Sequence, residues 1–471
     1  MMMVALSGLL LLPIIVAMIY RESCLWIFVS VAGCSLAVGA LMAVAFRTKN
    51  QVIYAKEGFA ITALSWIILS AVGALPFYLT GEIPSYVDAL FETVSGFTTT
   101  GASVVTEVAA MSRACLFWRS FTHWVGGMGV LVFVMAIIPN LTDRSIHLMR
   151  AEMPGPIVGK LVPRAKETAK ILYLIYIAMT VIEVILLVCG GMPFFDSVLH
   201  SFGTAGTGGF GIKSDSVAGY SSYIQWVITI FMLLFGINFN LYYLLLIGRV
   251  KSVFKSGEMW CYVGIVGVSI ATITANIMKI CSGFGEALRL SSFQVASIIT
   301  TTGYSTTDFN LWPSLPKAIL LSLMFIGGCA GSTAGGLKVS RVVILFKMIT
   351  KEIRHMLRPR SVNTVKFEGK QVDSVTLNNV ATYFALFVLC YAAMFLTITG
   401  LDGFDFETNF TAVAACFNNI GPGFGGVGPM SSFADYSAGS KLVLTFGMLL
   451  GRLEIFPLII TLSPATWTKK Q

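Results

Sequence analysis

Charge is scarce in this chain: Asp, Glu, Lys and Arg make up 12% of its 471 residues, against 56% hydrophobic ones. That balance excludes a water-soluble globular fold, whose surface needs far more charge. There are only four histidines, and the nine cysteines stand singly, mostly inside apolar runs, without a C-x-x-C pair. Neither a zinc site nor a disulfide framework fits such a pattern, so the cysteines read as packing residues. Nucleotide fingerprints are missing as well: "GGLKVS" (335–340) lacks the Walker spacing, and no G-x-G-x-x-G opens a helix after a strand. No enzyme chemistry, organic cofactor or nucleic-acid partner is expected.

What the chain has instead is apolar stretches, each about 20 residues long, the length that crosses a bilayer as a helix. Mean hydropathy is +0.81. The fold class is therefore an all-α polytopic membrane protein embedded in a lipid bilayer. Residues 1–20 lack the basic start and small-residue cleavage site of a signal peptide and are soon followed by a second span, so they read as a retained membrane helix.

Two spans, near 3–20 and 24–46, precede a pattern that occurs four times in tandem: span, short amphipathic segment, Thr/Gly-rich loop, span. The first spans fall near 59–79, 169–190, 260–280 and 378–399. The second fall near 115–138, 222–247, 316–348 and 440–462. This divides the chain into an N-terminal helix pair (1–49), pore units one (50–139), two (140–250) and three (251–350), and a last part (351–471) holding a cytoplasmic linker and unit four. A segment such as "DALFETVSGF" (88–97) is about 15 Å long as a helix and reaches only halfway through the hydrocarbon, so it must enter and return on one side.

With the N-terminus inside, the cytoplasmic segments (47–58, 140–170, 248–258, 338–377 and the C-terminus) hold 23 of the 32 Lys and Arg residues, as the positive-inside rule requires. Acidic residues are shifted outward: Asp88, Glu92, Asp196, Glu286, Asp308, Asp402, Asp405 and Glu407 fall outside. They would either form an acidic mouth that concentrates cations or simply solvate the outer loops.

The four loops read "FTTTGAS" (97–103), "AGTGGFG" (205–211), "ITTTGYS" (299–305) and "FNNIGPG" (417–423). Aligning Gly101, Gly209, Gly303 and Gly421 places Asp88 and Asp196 each 13 residues upstream, with no gap. One such loop alone would be an ordinary turn; four at equivalent places suggest a common purpose. Glycine allows carbonyls to turn toward an axis and four loops to converge. Such a ring of carbonyls replaces the hydration shell of potassium, helped by helix C-termini aimed at it. The candidate potassium-binding residues are Thr99, Thr100 and Gly101; Thr207, Gly208 and Gly209; Thr301, Thr302 and Gly303; and Asn419, Ile420 and Gly421.

The second span of unit three contains "GGCAGSTAGG" (327–336), where Gly327, Gly328, Gly331, Gly335 and Gly336 flank Ser332 and Thr333. Each glycine costs a helix about 1 kcal/mol relative to alanine, so the helix should break into an intramembrane loop; the alternative is close helix packing. Arg452 lies inside the last span, where a charge costs about 3 kcal/mol, so it should face the pore or a carboxylate. Glu454 is badly placed on the same helix, and Glu183 is a candidate partner. Arg119 and His123 are expected to snorkel to the outer interface rather than act in the pore.

Residues 50–465 resemble the Trk/Ktr/HKT superfamily of potassium transporters, its bacterial TrkH branch in particular, through "GFTTTGAS", "GTGGFG", "TTTGYSTTDF" and "NNIGPGFGGVGP". The resemblance implies helix–pore-loop–helix units folded into one pseudo-fourfold channel pore, two chains in a homodimer, and residence in the bacterial inner membrane. It implies potassium uptake, a 327–336 loop that obstructs the pore, and an arginine such as Arg452 beside it. It also implies a TrkA-like cytoplasmic ring that binds NAD or ATP/ADP. The basic 338–377 segment is a docking surface for such a ring, or only positive-inside anchoring. The rival function is a potassium–proton or potassium–sodium symporter. Common orientation of the four units and a break in only one long span argue against it, since symporters of the usual kind carry inverted repeats with interrupted spans in both halves.

Overall fold

The computed structural model describes residues 2–45, 55–129, 165–361 and 363–468. It is an all-α polytopic membrane protein, with a single two-stranded hairpin (Lys366–Phe367 with Lys370–Gln371) among the described residues. Among the described residues six helices are long and apolar enough to cross a bilayer: Met2–Tyr20, Leu25–Ala45, Lys56–Leu79, Lys170–Cys189, Gly257–Ile277 and Ser374–Leu401. Helical backbone satisfies its own polar groups, which the hydrocarbon cannot do. Side chains such as Trp26, Leu41 and Leu396 remain exposed on these helices, as lipid-facing positions should.

After the first two spans, each first span leads to a short helix that ends deep in the protein: Tyr86–Phe97, Phe194–Gly206, Phe284–Ile299 and Phe406–Phe417. The amino ends of the first and last of these are held by side-chain caps. Ser85 accepts from the Asp88 amide, and Asp405 accepts from the amide and hydroxyl of Thr408. The hydroxyl above all, then the amide, holds the Asp405 carboxyl below its ordinary value. A carboxyl lowered in the folded state gives stability above its unfolded value, about 3.9, and loses it as pH falls through the lower folded value. Asp405→Ala is expected to cost about 1 kcal/mol at neutral pH and correspondingly less in acid, measured by thermal denaturation in detergent at both pH values.

The four units close into a ring. Each second helix packs on the short helix of its own unit and on that of the next: Arg113–Gly127 on Phe194–Gly206, Ser222–Phe235 on Phe284–Ile299, Ser314–Ile326 on Phe406–Phe417, and Ala438–Arg452 back on Tyr86–Phe97. The expectation that only one long span is broken does not hold. Ser222–Phe235 and Phe239–Leu246 meet at 89°, and Ala438–Arg452 and Phe456–Leu462 at 117°. All four second helices stop within one residue of a glycine, which in three of them is set against the end of a short helix and in the third unit, at Gly327, against the loop that follows. A Cβ on Gly126 would lie 1.9 Å from the Phe97 carbonyl oxygen, and one on Gly451 2.0 Å from that of Phe417. On Gly236 it would lie 2.7 Å from the Thr300 methyl, and Gly327 ends the third helix with φ +75. Breaks therefore occur in both halves, and that contrast with symporters falls away; the common orientation remains. The remainder of the expected 115–138 span, from 130 on, lies outside the described residues, as do 140–164 and Lys469 and Lys470 at the C-terminus.

Candidate functional site: a ring of carbonyls and the loop beneath it

Each short helix ends in the same way. Thr99, Thr207, Thr301 and Asn419 take left-handed φ values of 55, 55, 56 and 55. The next amide then reaches back five residues, Thr100 to Ser95, Gly208 to Gly203, Thr302 to Ser297 and Ile420 to Ala415, always at 2.8 Å. This is the Schellman ending, in which the left-handed position normally belongs to glycine. A side chain there costs about 1–2 kcal/mol, so four such residues mark a conformation fixed by its surroundings. Gly101, Gly209, Gly303 and Gly421 follow two residues later, also with positive φ.

Those glycines bring the loops together in cyclic order. A Cβ on Gly101 would lie 1.9 Å from the Gly208 carbonyl oxygen, on Gly209 2.0 Å from that of Thr302, on Gly303 2.1 Å from that of Ile420, and on Gly421 2.9 Å from that of Thr100. Among the described residues, no hydrogen bond ends on the carbonyl of any of the twelve candidate potassium-binding residues. Buried carbonyls almost always have partners, and a ring without them offers oxygens that a cation can take up. The side-chain oxygens of Thr99 and Asn419 are likewise buried without a donor. The ring opens outward on a vestibule of about 490 Å³ lined by all four glycines.

Behind the ring lie groups that sequence reading placed elsewhere. Arg119 does not snorkel: it is 3% exposed and pairs with the fully buried Glu92 carboxylate at 2.5 Å. Arg119 also donates to the Gly211 carbonyl of loop two and stacks 3.6 Å from the Phe210 ring centre. Glu92 accepts from Ser103 and the Val104 amide of loop one. The pair thus clamps two neighbouring loops. His123, also fully buried, sets Nδ1 2.9 Å from the Gly96 carbonyl oxygen, and a Cβ on Gly208 would lie 2.1 Å from that nitrogen. Opposite charges 27 positions apart on two helices carry no local signal in sequence.

The acidic mouth is not formed. None of the eight outer carboxylates lines the vestibule, where Asp435 is the acidic residue among the described ones. They secure helix ends and outer loops instead. Asp88 pairs with Lys441 at 2.7 Å, Glu407 with Lys317 at 3.2 Å, and Asp402 accepts from Ser437 at 2.9 Å. Asp196 accepts from Tyr220, Glu286 from the Ser282 amide, and Asp308 from the Asn310 amide. The Ser282 amide holds the Glu286 carboxyl below its ordinary value.

Directly beneath the ring, residues 327–338 leave the helix and fold back on themselves. Gly327 and Gly336 abut, a Cβ on Gly336 falling 2.9 Å from the Gly327 Cα. The Gly335 amide donates to Thr301 Oγ1 at 2.6 Å, tying the loop to the ring. A Cβ on Gly328 would lie 2.6 Å from that of Ala334. The Gly331 carbonyl accepts from Phe239, Ser332 donates to Cys329, and Thr333 donates to Phe235. Arg452 donates to the Thr333 carbonyl at 2.9 Å and to the carbonyls of Gly126 and, at 2.8 Å, Gly127. The candidate pair of Arg452 with Glu183 does not form: neither Glu183 oxygen accepts a hydrogen bond from Arg452. Glu454 instead holds Arg341 through both oxygens, with Arg341 4.0 Å from the Tyr383 ring centre. Lys338 donates to Ala334 and is buried. Two cations of the basic 338–377 segment are therefore part of the loop's setting and are not free to dock a partner. Below lies a cavity of about 60 Å³ bordered by Met128, Leu172, Phe239, Ser332 and Arg452.

A tandem four-unit ring of inward carbonyls inside a polytopic helical protein defines a membrane cation pore. The comparisons with known proteins narrow the class. Residues 27–259 and 270–469 match the TrkH family, described as cation transport protein. The chain is 38% identical over 470 residues to the Trk system potassium uptake protein TrkH of Salmonella typhimurium, covering 98% of this chain and 96% of that one. It is 37% identical to the Escherichia coli protein of the same name, with the same coverage. The crystal structure of the potassium transporter TrkH from Vibrio parahaemolyticus superposes with a TM-score of 0.89 at 33% identity, over 99% of this chain and 97% of that one. The chain belongs to the TrkH family.

Proposed function

We propose that this protein takes up potassium across the bacterial inner membrane as the channel-like translocating subunit of a Trk system, as a homodimer with one pore per chain. The observation that carries the reading is the cyclic ring of carbonyls without hydrogen-bond partners, each glycine pressed on the carbonyl of the next loop. Potassium is the cargo, bound by those carbonyls in place of water. The 327–336 loop is the gate, held shut by Arg452 and Thr301.

A cytoplasmic TrkA-like ring that binds NAD or ATP/ADP would act on this gate from below. One route runs through the cytoplasmic hairpin: Glu368 accepts from the Glu258 amide at 2.9 Å, and the Glu258 carboxylate accepts from the Ala330 amide of the loop at 2.7 Å. Displacing the hairpin therefore pulls on the loop. The test is reversal potentials of the purified protein in planar bilayers under potassium, sodium and proton gradients. A potential that follows potassium alone is expected; one that follows potassium and proton or sodium gradients in fixed proportion would replace the channel reading with a symporter.

A further inference from the structure

Glu183 lies in the first span of unit two, Ala165–Cys189, about 9 Å below its outer end at 1.5 Å per residue. Its side chain is fully buried, and among the described residues neither oxygen accepts a hydrogen bond of good geometry. An ionised carboxylate so placed, without a cation or donor, costs several kcal/mol more than the neutral acid. Membrane-buried carboxylates of this kind are rare and mark functional positions.

The groups around Glu183 lead in one direction. From the adjoining short helix comes Thr204, whose hydroxyl lies beside the Glu183 carboxyl but donates to the His200 carbonyl at 2.9 Å. Tyr304, next to the ring glycine Gly303, donates its own hydroxyl to the same His200 carbonyl at 3.0 Å. The His200 ring stacks on Tyr304 with centres 5.7 Å apart and meets Tyr220 at 5.2 Å. His200 is fully buried, and its Nε2 also lacks a partner. Tyr220 in turn donates to Asp196 at 3.0 Å, where the cluster reaches the outer face. Asp196, Tyr220, His200 and Tyr304 thus form a file of protonatable groups running inward behind the ring, and Thr204, bonded to the His200 carbonyl, joins it to Glu183.

Among the described residues no other charge pairs with Glu183. Tyr176, two turns back on the same span, donates its hydroxyl to the Trp124 carbonyl. Arg119 lies beyond Tyr304 and is paired with Glu92, while Arg452 approaches Tyr176 and holds three carbonyls. The second helix of unit two and its continuation carry Tyr223, Tyr242 and Tyr243 but no charged residue.

We propose that Glu183 is a proton-binding site set behind the ring between units two and three, loaded from the outer face through His200. The proton passes from external water to a His200 nitrogen and on to a Glu183 carboxylate oxygen, and it leaves by the same route. Loss of the proton places a negative charge beside Tyr304 and hence beside loop three, which alters conduction. That last step rests on the potassium-conducting reading; proton binding itself does not.

The test uses the full-length protein in liposomes. Infrared difference spectra between neutral and alkaline pH should show the carbonyl stretch of a protonated carboxylic acid lost on alkalinisation, and Glu183→Gln should abolish that band. Rubidium flux should vary with external pH in the parent and be flat in Glu183→Gln, which keeps the neutral shape and so folds. His200→Asn should slow the response to an external pH jump at least tenfold without moving its end point. Superimposable spectra of parent and Glu183→Gln overturn the proton site. Unchanged pH dependence of flux in that variant overturns its link to the ring, and an unslowed His200→Asn response overturns the route. Should the parent carry no rubidium at any pH, the conduction reading fails while the infrared comparison still decides proton binding.

Discussion

Gly101→Ser is expected to lower the permeability ratio of potassium to sodium at least tenfold while the protein still inserts. The reason is steric. At φ +80 a side chain is already strained, and its Cβ would stand 1.9 Å from the Gly208 carbonyl oxygen, a backbone atom that has no room to yield. The contact pushes apart two quarters of the ring, and a widened ring no longer matches the hydration shell it must replace. A tenfold change is about 1.4 kcal/mol, small beside such an overlap. Because the equivalent contacts of Gly209 and Gly303 are 2.0 and 2.1 Å but that of Gly421 is 2.9 Å, serine at Gly421 should do the least damage. Reversal potentials under bi-ionic conditions measure all four. Equal effects, or none at Gly101, would show that these contacts do not set selectivity.

The ring was legible in sequence because it is built from backbone. Glycine at four equivalent places is a compositional signal, and the apolar runs around it report the membrane directly. The left-handed Thr99, Thr207, Thr301 and Asn419 were not legible as such, since threonine does not advertise that conformation and only the closing of the ring imposes it. Breaks at Gly126, Gly236 and Gly451 went unseen for a related reason. A lone glycine in an apolar run also occurs in unbroken membrane helices, and what breaks these is the carbonyl or methyl waiting on the other side. Ten residues with five glycines needed no such context, so the 327–336 loop was visible. The outer carboxylates misled because helix-end roles and a cation-gathering mouth have the same sequence signature. Asp405 with Thr408 three positions on is the arrangement that sorts one from the other.

Arg452→Ala should raise rubidium flux in the absence of any cytoplasmic partner by tenfold or more. In the structure its guanidinium joins the loop, through Thr333, to the end of the second helix of unit one, through Gly126 and Gly127. Hydrogen bonds to a charged donor are worth about 1.5–3 kcal/mol each, and a shift of about 1.4 kcal/mol in the closed-to-open balance changes the open fraction tenfold when the open state is rare. A cation beneath the ring also raises the barrier to the next potassium ion, so both effects act in the same direction. Arg452→Lys separates them: it keeps the charge, but one ammonium cannot reproduce a planar fork spanning two units, so flux should rise less than in the alanine variant. Since the described partners of Arg452 are carbonyls and not Glu183, its removal strands no carboxylate among the described residues, and thermal stability in detergent should stay near that of the parent. Flux per folded molecule and melting temperature are measured together. Lower stability with unaltered or lost flux would make Arg452 a structural brace. Higher flux at near-parental stability is the outcome the loop's bonding requires, because the loop would then keep its tie to the ring through Gly335 and Thr301 but lose the one to the second helix of unit one.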